Sequence, residues 1–228
     1  EVGDSGIYQV NFGHAPTSGT ITLQTAVSGS TFLLVMGGNM NDIGDGPTDS
    51  ESNTWRQIGA SWNYVDPENS PWGVSAWRAI NGVGDATSHV FTQGITQFDE
   101  LTMFALELKG AHYLAARDED DEANAGTPGT VGPTVQVTVN GPAILTAEWW
   151  GSGPVGQDHT ATPDGSGWVL QQFFGTNDND GYVQGGLWTK LVTSAGTYSV
   201  TFTHSPAQGS NARIMAWRQE HPPTVYYN

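Results

Sequence analysis

The stretch Thr134-Val135-Gln136-Val137-Thr138-Val139-Asn140-Gly141, followed by Pro142-Ala143-Ile144-Leu145-Thr146-Ala147, decides the fold class. In its first part, valines alternate with threonine and glutamine, which is the period-two pattern of a strand with one buried face. Asn140-Gly141 is a hairpin-turn signal, and the apolar run after it is typical of strands that line a sandwich interior. The stretch predicts two antiparallel strands that contribute to one buried core.

The same pattern occurs in the first half of the chain, about 112 residues earlier. There Leu23, Thr25 and Val27 alternate with small or polar residues before Ser28-Gly29, and Phe32-Leu33-Leu34-Val35 follows the turn. Further matches occur in the same order: Trp55 with Trp168, Ala76-Trp77 with Leu187-Trp188, His89-Val90-Phe91-Thr92 with Val200-Thr201-Phe202-Thr203, and Met103-Phe104-Ala105-Leu106 with Ile214-Met215-Ala216-Trp217.

The matches predict an internal duplication with halves at about residues 17–110 and 132–220, within one antiparallel, jelly-roll-like β-sandwich domain spanning 1–228. The halves are expected to share a core through a pseudo-twofold axis, because each half alone leaves many strand edges to cover. Two separate sandwiches are the alternative arrangement, and chance alternation is the alternative explanation. Residues 111–133 are expected to be a surface linker, since their acidic run and their Gly and Pro residues do not suit a core strand.

Composition agrees with an all-β protein and excludes several functions. Thirty glycines, 12 prolines and 13% charged residues suit many short strands joined by tight turns. The formal charge of −16 repels phosphate backbones and anionic membranes, so nucleic acid is a poor partner. The absence of cysteine excludes disulfides, thiolate nucleophiles and cysteine metal sites. No apolar run approaches the roughly 20 residues that span a bilayer. Because no charged-then-apolar segment stands before Glu1, any signal peptide is expected to have been removed or never to have existed.

Motifs for catalysis are weak. The chain has no Gly-x-Ser-x-Gly elbow, and its six histidines include no pair at the spacing of a zincin helix. Glu148, directly before Trp149-Trp150, is the best isolated acid, because a carboxylate beside aromatic rings can act as a general acid. A sandwich-fold glycoside hydrolase or polysaccharide lyase would need a second carboxylate or His159 near Glu148. No catalytic residue is nominated, and a non-enzymatic protein is expected.

Calcium is the one cofactor that the sequence leaves open. Asp178 and Asp180 precede Gly181 in an oxygen-rich loop, but Leu187 stands where an EF-hand needs a bidentate glutamate. An EF-hand is therefore excluded, and a looser site competes with a simple Asx-Gly turn. For residues 41–46 the same two interpretations compete, a loose calcium site and a simple Asx-Gly turn.

The tryptophans provide the clearest functional signal. Trp77 and Trp188, and approximately Trp55 and Trp168, recur at matched positions and are expected to pack inside each half. The aromatic residues without counterparts form a candidate ligand-binding surface. In a strand, adjacent Trp149 and Trp150 project to opposite faces, so one ring is expected to be exposed and to stack on a sugar; the alternative is that loops or a subunit cover both. The candidate surface comprises Trp62, Tyr64, Trp72, Trp149 and Trp150.

The string Pro47-Thr48-Asp49-Ser50-Glu51-Ser52-Asn53-Thr54-Trp55, after Phe32-Leu33-Leu34-Val35 and before Trp77, carries a family resemblance. It resembles β-sandwich modules of phage virion proteins and of secreted bacterial proteins, over the first half of the chain. The resemblance implies a tail-fibre, receptor-binding, capsid-decoration or carbohydrate-binding role without chemistry. No individual binding residue can be transferred from it.

Together, these patterns predict a non-enzymatic surface-attachment or virion structural protein outside the cell or on a virion. Its expected partners are a glycan or other protein subunits, in a homo-oligomer or a larger assembly, with no nucleic acid and no membrane insertion. A capsid, tail or filament subunit without glycan binding is the alternative.

Overall fold

The computed structural model describes residues 1–10, 17–39, 43, 45–63, 72–95, 100–111, 120–152, 156–176 and 183–218, and for 39, 60–63, 72, 81, 120–127 and 152 only the backbone is described. The chain is all-β with antiparallel sheets, as the alternation of apolar residues predicts. Its strands are β1 (Val2–Val10), β2 (Ser18–Leu23), β3 (Ser30–Asn39), β4 (Thr48–Asp49), β5 (Arg56–Asn63), β6 (Trp72–Gly82), β7 (His89–Gly94), β8 (Leu101–Leu108), β9 (Asp120–Val139), β10 (Ala143–Ser152), β11 (Thr160–Pro163), β12 (Val169–Phe174), β13 (Gln184–Val192) and β14 (Gly196–Arg218).

The first eight strands form two sheets. A five-stranded sheet has the order β1-β8-β3-β6-β5, and a three-stranded sheet has the order β2-β7-β4. The two sheets pack against each other through a core that includes Leu23, Phe32, Phe91 and Met103. Alternate residues of β3 enter different cores, since Phe32 and Leu34 face the small sheet while Leu33 and Val35 face the second half of the chain.

The second half has the same strand order as the first when the two ends of β9 and of β14 are counted separately, because each of these long strands contributes to two layers. Residues 120–125 of β9 pair with 210–215 of β14, and residues 134–139 pair with 196–201. The second large layer therefore has the order β9-β14-β10-β13-β12, and the small layer combines the other ends of β9 and β14 with β11. Val200 and Phe202 share a core with Ile214 of the same strand, which requires β14 to turn between the layers. The register irregularities between Thr203 and Ser210 mark this turn.

Three cores hold the four layers together. One lies inside each half, and the third lies between the two large sheets, where Leu33, Phe104 and Leu106 of the first half meet Trp150 and Trp217 of the second. The large sheets are thus buried on both faces. This explains the continuous apolar runs in β3, β8 and β10, because a strand covered on both faces does not need alternation.

The predicted alternation is confirmed in the second half and ends early in the first. Val135, Val137 and Val139 are all buried in β9. In the first half the strand ends at Leu23, so Ala26 is buried and Val27 is 40% exposed. The expectation that Val27 faces inward is therefore wrong, because the chain leaves the sheet two residues after Leu23 and the alternation no longer applies.

The expected linker at 111–133 is also wrong over much of its length. Residues 112–119 lie outside the described residues. β9 begins at Asp120 and continues as one strand through the Gly- and Pro-containing segment to Val139. Glu122 lies opposite Arg213 and Asp121 opposite Ile214. Polar and Pro-containing sequence is acceptable here because this part of β9 is an outer strand that pairs with β14 alone among the described strands.

Candidate functional site

Trp149 and Trp150 project to opposite faces of β10, as predicted, but neither ring is exposed. Trp150 is 1% exposed between the two large sheets, and Trp149 is 0% exposed inside the core of the second half. Gly185 lies opposite Trp150, and Gly186 lies opposite Trp149. A Cβ atom at Gly185 would lie 2.5 Å from the Trp150 ring. The expectation that one of these indoles is an exposed sugar platform is therefore wrong, because the sheet is covered on both faces.

Glu148 belongs to a buried polar group between the large sheets. The indole N–H of Trp150 donates a 2.6 Å hydrogen bond to Oε2 of Glu148, and Nε of Arg213 lies 3.5 Å from Oε1 of the same carboxylate. An Nη of Arg213 donates to the carbonyl of Ile58 in β5, at 3.3 Å, so the guanidinium also joins the two sheets. Glu148 and Arg213 are 1% and 3% exposed. The acid is thus held by internal partners in a packed interface.

This environment favours a structural role for Glu148. A general acid needs access to its substrate, whereas this carboxylate is buried with a cation on one oxygen and an indole on the other. The strand register does place the backbone of Glu122 opposite Arg213, two strands from Glu148 and therefore about 10 Å away. The hydrolase or lyase alternative stays a prediction without a described cleft.

The remaining predicted site residues lie largely outside the described part of the chain. Only the backbones of Trp62 in β5 and Trp72 in β6 are described, and Tyr64, Asp178 and Asp180 are not described. Within the described ranges, no group of three or more His, Asp or Glu side chains could hold a metal ion. Glycan recognition through Trp62, Tyr64 and Trp72, and calcium at Asp178 and Asp180, stay predictions.

The Asp-x-x-x-Asn-x-Trp string forms a closed turn between β4 and β5. Asp49 Oδ1 accepts the backbone N–H groups of Glu51 and Asn53, and Oδ2 accepts the indole N–H of Trp55 at 2.9 Å. Asn53 makes reciprocal hydrogen bonds with the backbone of Val83. His89 Nε2 lies 3.8 Å from Asp49 Oδ2. In the second half Pro163 takes the register position of Asp49, since Asp49 lies opposite Phe91 and Pro163 opposite Phe202.

The pKa of Asp49 makes this turn sensitive to acid. Burial by itself raises the pKa of Asp49, but the nearby imidazole of His89 and hydrogen bonds from Asn53 and Trp55 outweigh it, so the pKa lies below its usual value. A lowered pKa in the folded state means that the stabilisation is complete above the pKa of the unfolded chain, about 4. It is lost as the pH falls through the folded-state pKa. The motif that carries the family resemblance therefore stabilises the turn between β4 and β5.

Replacing Asp49 with asparagine is expected to lower the free energy of unfolding by about 1–3 kcal/mol at neutral pH, because three donors lose a charged acceptor. The difference from the unsubstituted protein should shrink as the pH falls below about 4, where Asp49 itself becomes protonated. Urea denaturation at roughly pH 7 and pH 3 measures both quantities. A difference that stays constant between these pH values would show that the charge of Asp49 is not what stabilises the turn.

A second buried polar cluster lies at the end of the second half where β14 turns. Ser210 Oγ lies 3.3 Å from Nε2 of His204, whose ring packs against Trp149 with centroids 5.5 Å apart. Burial lowers the pKa of His204, and the smaller opposing effect of its contact with the Pro206 carbonyl does not cancel this. Among the described residues, Nε1 of Trp149 and Oε1 of Gln208 are buried without a hydrogen-bond partner. A water molecule or a hydroxyl group can satisfy such a donor and acceptor.

Three of the six large apolar side chains that are exposed among the described residues lie elsewhere, on the last two strands of the second large sheet. Val169 and Leu170 of β12 are 58% and 52% exposed, and Leu191 on neighbouring β13 is 71% exposed. Val169 lies opposite Thr189, which places Leu191 at the diagonal position on the same face. Among the described strands, β12 forms ladder hydrogen bonds with β13 alone, while the side chain of Gln172 donates a 2.9 Å hydrogen bond to Ser5 Oγ of β1. We call this surface, formed by Val169–Phe174 and Leu191, the β12 edge.

The β12 edge differs from the other outer strands of the two large sheets. β1 contains Asp4, β5 contains Arg56, and the first part of β9 contains Asp120, Asp121 and Glu122. Charged residues on an outer strand discourage pairing with another chain, since a new strand would bury them. β12, with the sequence Val-Leu-Gln-Gln-Phe-Phe, contains no charged residue and no proline. It does contain a one-residue bulge, between Leu170 and Gln172.

The β12 edge and the Arg213 pair were both missed by sequence reasoning. Val169-Leu170 was available as an uncharged run, but its position at the edge depends on the strand order. Arg213 offered no local signal, because its partner Glu148 is distant in sequence and meets it only through the β10–β14 register.

In comparisons with known proteins, no protein-family model, curated protein or solved structure matches the chain. The resemblance to phage virion and bacterial surface modules therefore stays a prediction. In the described part of the chain there is no helix with the length and apolar character needed to cross a bilayer.

Proposed function

We propose that this protein is a non-enzymatic β-sandwich module that attaches to a neighbouring protein subunit through its β12 edge, within an extracellular or virion assembly. The observation that carries the proposal is the uncharged outer strand β12 with exposed Val169 and Leu170, in a chain whose formal charge is −16. An exposed edge strand offers unpaired backbone N–H and C=O groups to an incoming strand, and apolar side chains beside it add affinity.

The strand order supports an assembly role by analogy. The described strands of each half form eight segments in the same order. We infer from this order that each half is a variant of a jelly roll in which the fifth strand has joined the larger sheet. We infer that the halves arose by duplication and are related by a pseudo-twofold axis through the core between the large sheets. Jelly rolls build viral capsids and lectin domains, and this analogy concerns the fold alone.

The burial of Trp149, Trp150 and Glu148 favours protein attachment over sugar binding or hydrolysis. These three side chains carried much of the glycan and enzyme hypotheses, and all three contribute to internal packing. Val169 and Leu170 of the β12 edge are exposed, and no described strand forms a ladder with the outer side of β12.

The test is whether the β12 edge accepts a strand. A fluorescein-labelled, lysine-flanked peptide with the sequence of residues 134–139 is a strand former unrelated to β12. We expect it to bind with a dissociation constant in the range of about 10 μM to 1 mM, measured by fluorescence anisotropy. The same peptide with proline in place of its central valine should not bind, because proline removes a ladder hydrogen bond.

Two protein variants locate the binding. Leu170→Lys places a charge on the edge and should weaken peptide binding at least about tenfold. Val131→Lys is the matched control, since Val131 is 59% exposed but lies on β9; it should leave binding unchanged. Absence of peptide binding to the unsubstituted protein, or equal binding by both variants, would overturn attachment through β12.

A further inference from the structure

The residues of β12 are arranged so that the strand complements its own reverse. Two aliphatic residues, Val169 and Leu170, come first, two glutamines follow, and two aromatic residues, Phe173 and Phe174, come last. When two copies of such a strand run antiparallel, the aliphatic end of one meets the aromatic end of the other. Aliphatic–aromatic pairs are among the favourable cross-strand pairs of a sheet.

The bulge in β12 makes this register possible. Val169 lies opposite Thr189 and Phe174 opposite Gly185, positions four apart on β13, so Val169 and Phe174 share one face. Leu170 and Phe173 lie opposite Trp188 and Gly186, so they share the other face. Without the bulge, Val169 and Phe174 would be five positions apart and would project to opposite faces. Residues directly opposed in an antiparallel pair must share a face, and both pairs meet this requirement.

We propose that the partner of β12 is β12 of a second copy of this chain, paired antiparallel about a twofold axis between Gln171 and Gln172. This inference rests on the proposed attachment role of the β12 edge and names its partner. Val169 of one copy lies opposite Phe174 of the other, and Leu170 lies opposite Phe173. The backbones of Gln171 and Gln172 meet at the axis, while their side chains keep hydrogen bonds to Thr189 and Ser5 of their own copy. The two large second-half sheets then join edge to edge.

Such a contact produces a dimer and no larger assembly. A twofold interface uses the same surface on both copies, so the β12 edge is consumed and no further copy can add to it. After the two sheets join, the outermost described strand at each end of the joined sheet is β9, whose sequence contains Asp120, Asp121 and Glu122. Charged edges oppose further pairing, which protects the dimer from growing into a fibre.

Salt should strengthen the dimer. Each copy has a formal charge of −16, and none of that charge lies on β12, so the charges oppose association without contributing to the contact. Salt screens this repulsion and leaves the apolar and backbone contacts in place. An interface built on ion pairs would respond in the opposite direction.

The test is sedimentation equilibrium of the full chain over about 1–100 μM, a range suited to an interface of this small size. We expect a monomer–dimer equilibrium whose dissociation constant falls when the salt concentration is raised. Leu170→Lys should raise the dissociation constant on the order of 100-fold, because the substitution occurs twice in a twofold interface, at about tenfold for each site. Val131→Lys should match the unsubstituted protein, and circular dichroism checks that both variants are folded.

The register has its own test, because the chain contains no cysteine. Gln171→Cys places one thiol beside the proposed axis, within reach of the same thiol in the second copy, so mild oxidation should give a covalent dimer. Val131→Cys should remain monomeric under the same conditions. A protein that stays monomeric at every concentration while binding the strand peptide would overturn self-pairing and leave the attachment role intact. A dimer that Leu170→Lys does not weaken would also overturn it.

Discussion

Replacing Trp150 with alanine is expected to lower the free energy of unfolding by about 3–5 kcal/mol, one of the two largest effects of any single substitution we consider. Trp150 is 1% exposed between the large sheets, and its ring packs on Phe104 with centroids 5.3 Å apart. Removing the indole leaves a cavity that Gly185, directly opposite on β13, cannot fill. It also removes the N–H donor from the buried carboxylate of Glu148. Urea denaturation followed by fluorescence or circular dichroism measures the change.

Trp150→Phe separates the two contributions. Phenylalanine keeps most of the aromatic packing but has no N–H group, so its cost should be closer to the roughly 1–3 kcal/mol of an unsatisfied buried acceptor. If the alanine variant loses less than about 1 kcal/mol, the two large sheets do not share the core described above. Such a result would favour two independent sandwiches, the alternative that the sequence left open.

Arg213→Met is expected to be as damaging, with a loss of about 3–5 kcal/mol, because Glu148 loses the cation that offsets its burial. Nε of Arg213 lies 3.5 Å from the Glu148 carboxylate, and both residues are nearly inaccessible to solvent. The substitution also removes the hydrogen bond to the Ile58 carbonyl, one of the polar contacts between the two large sheets. Methionine has a similar length and keeps the apolar packing, so the measured loss reports chiefly on the charge.

The double variant Glu148→Leu with Arg213→Met provides the control for this prediction. Replacing both members of a buried pair with apolar residues is often close to neutral, so the double variant should recover most of the stability that Arg213→Met loses. Thermal or urea denaturation of the two single variants and the double variant completes the cycle. Additive losses would show that Glu148 and Arg213 are stabilised independently of each other.

These two predictions and the proposed function concern different parts of the same sheet, namely one of its faces and one of its edge strands. The Glu148 and Trp150 side chains lie on the face of the second large sheet that packs against the first half, and they stabilise the fold. The β12 edge lies at the margin of that sheet, where the backbone of one strand is paired on a single side among the described strands. Trp149, Trp150 and Glu148, which the sequence suggested for ligand binding or catalysis, are buried inside the protein. Val169 and Leu170 on β12 are exposed and suited to attachment.

The amino-acid sequence by itself determined the class of the fold. Alternation in Val135, Val137 and Val139 predicts a strand with one buried face, and the Asn140-Gly141 turn predicts its return; both depend on residues close in sequence. The matched order of tryptophans and apolar runs predicts an internal duplication, which stays a prediction; the strand order of the two halves became known from the structure. Periodicity and turn chemistry are local, so a single sequence can display them.

Only the tertiary structure decided which faces and edges are covered. Adjacent Trp149 and Trp150 were expected to place one ring in solvent, but the large sheets stack on each other and bury both. The acidic start of β9 was expected to be a linker, but pairing with β14 makes it a strand. The uncharged Val169–Phe174 became a candidate interface only when the strand order placed it outermost. Burial and edge position depend on contacts between residues that are distant in the chain, and no local pattern specifies those contacts.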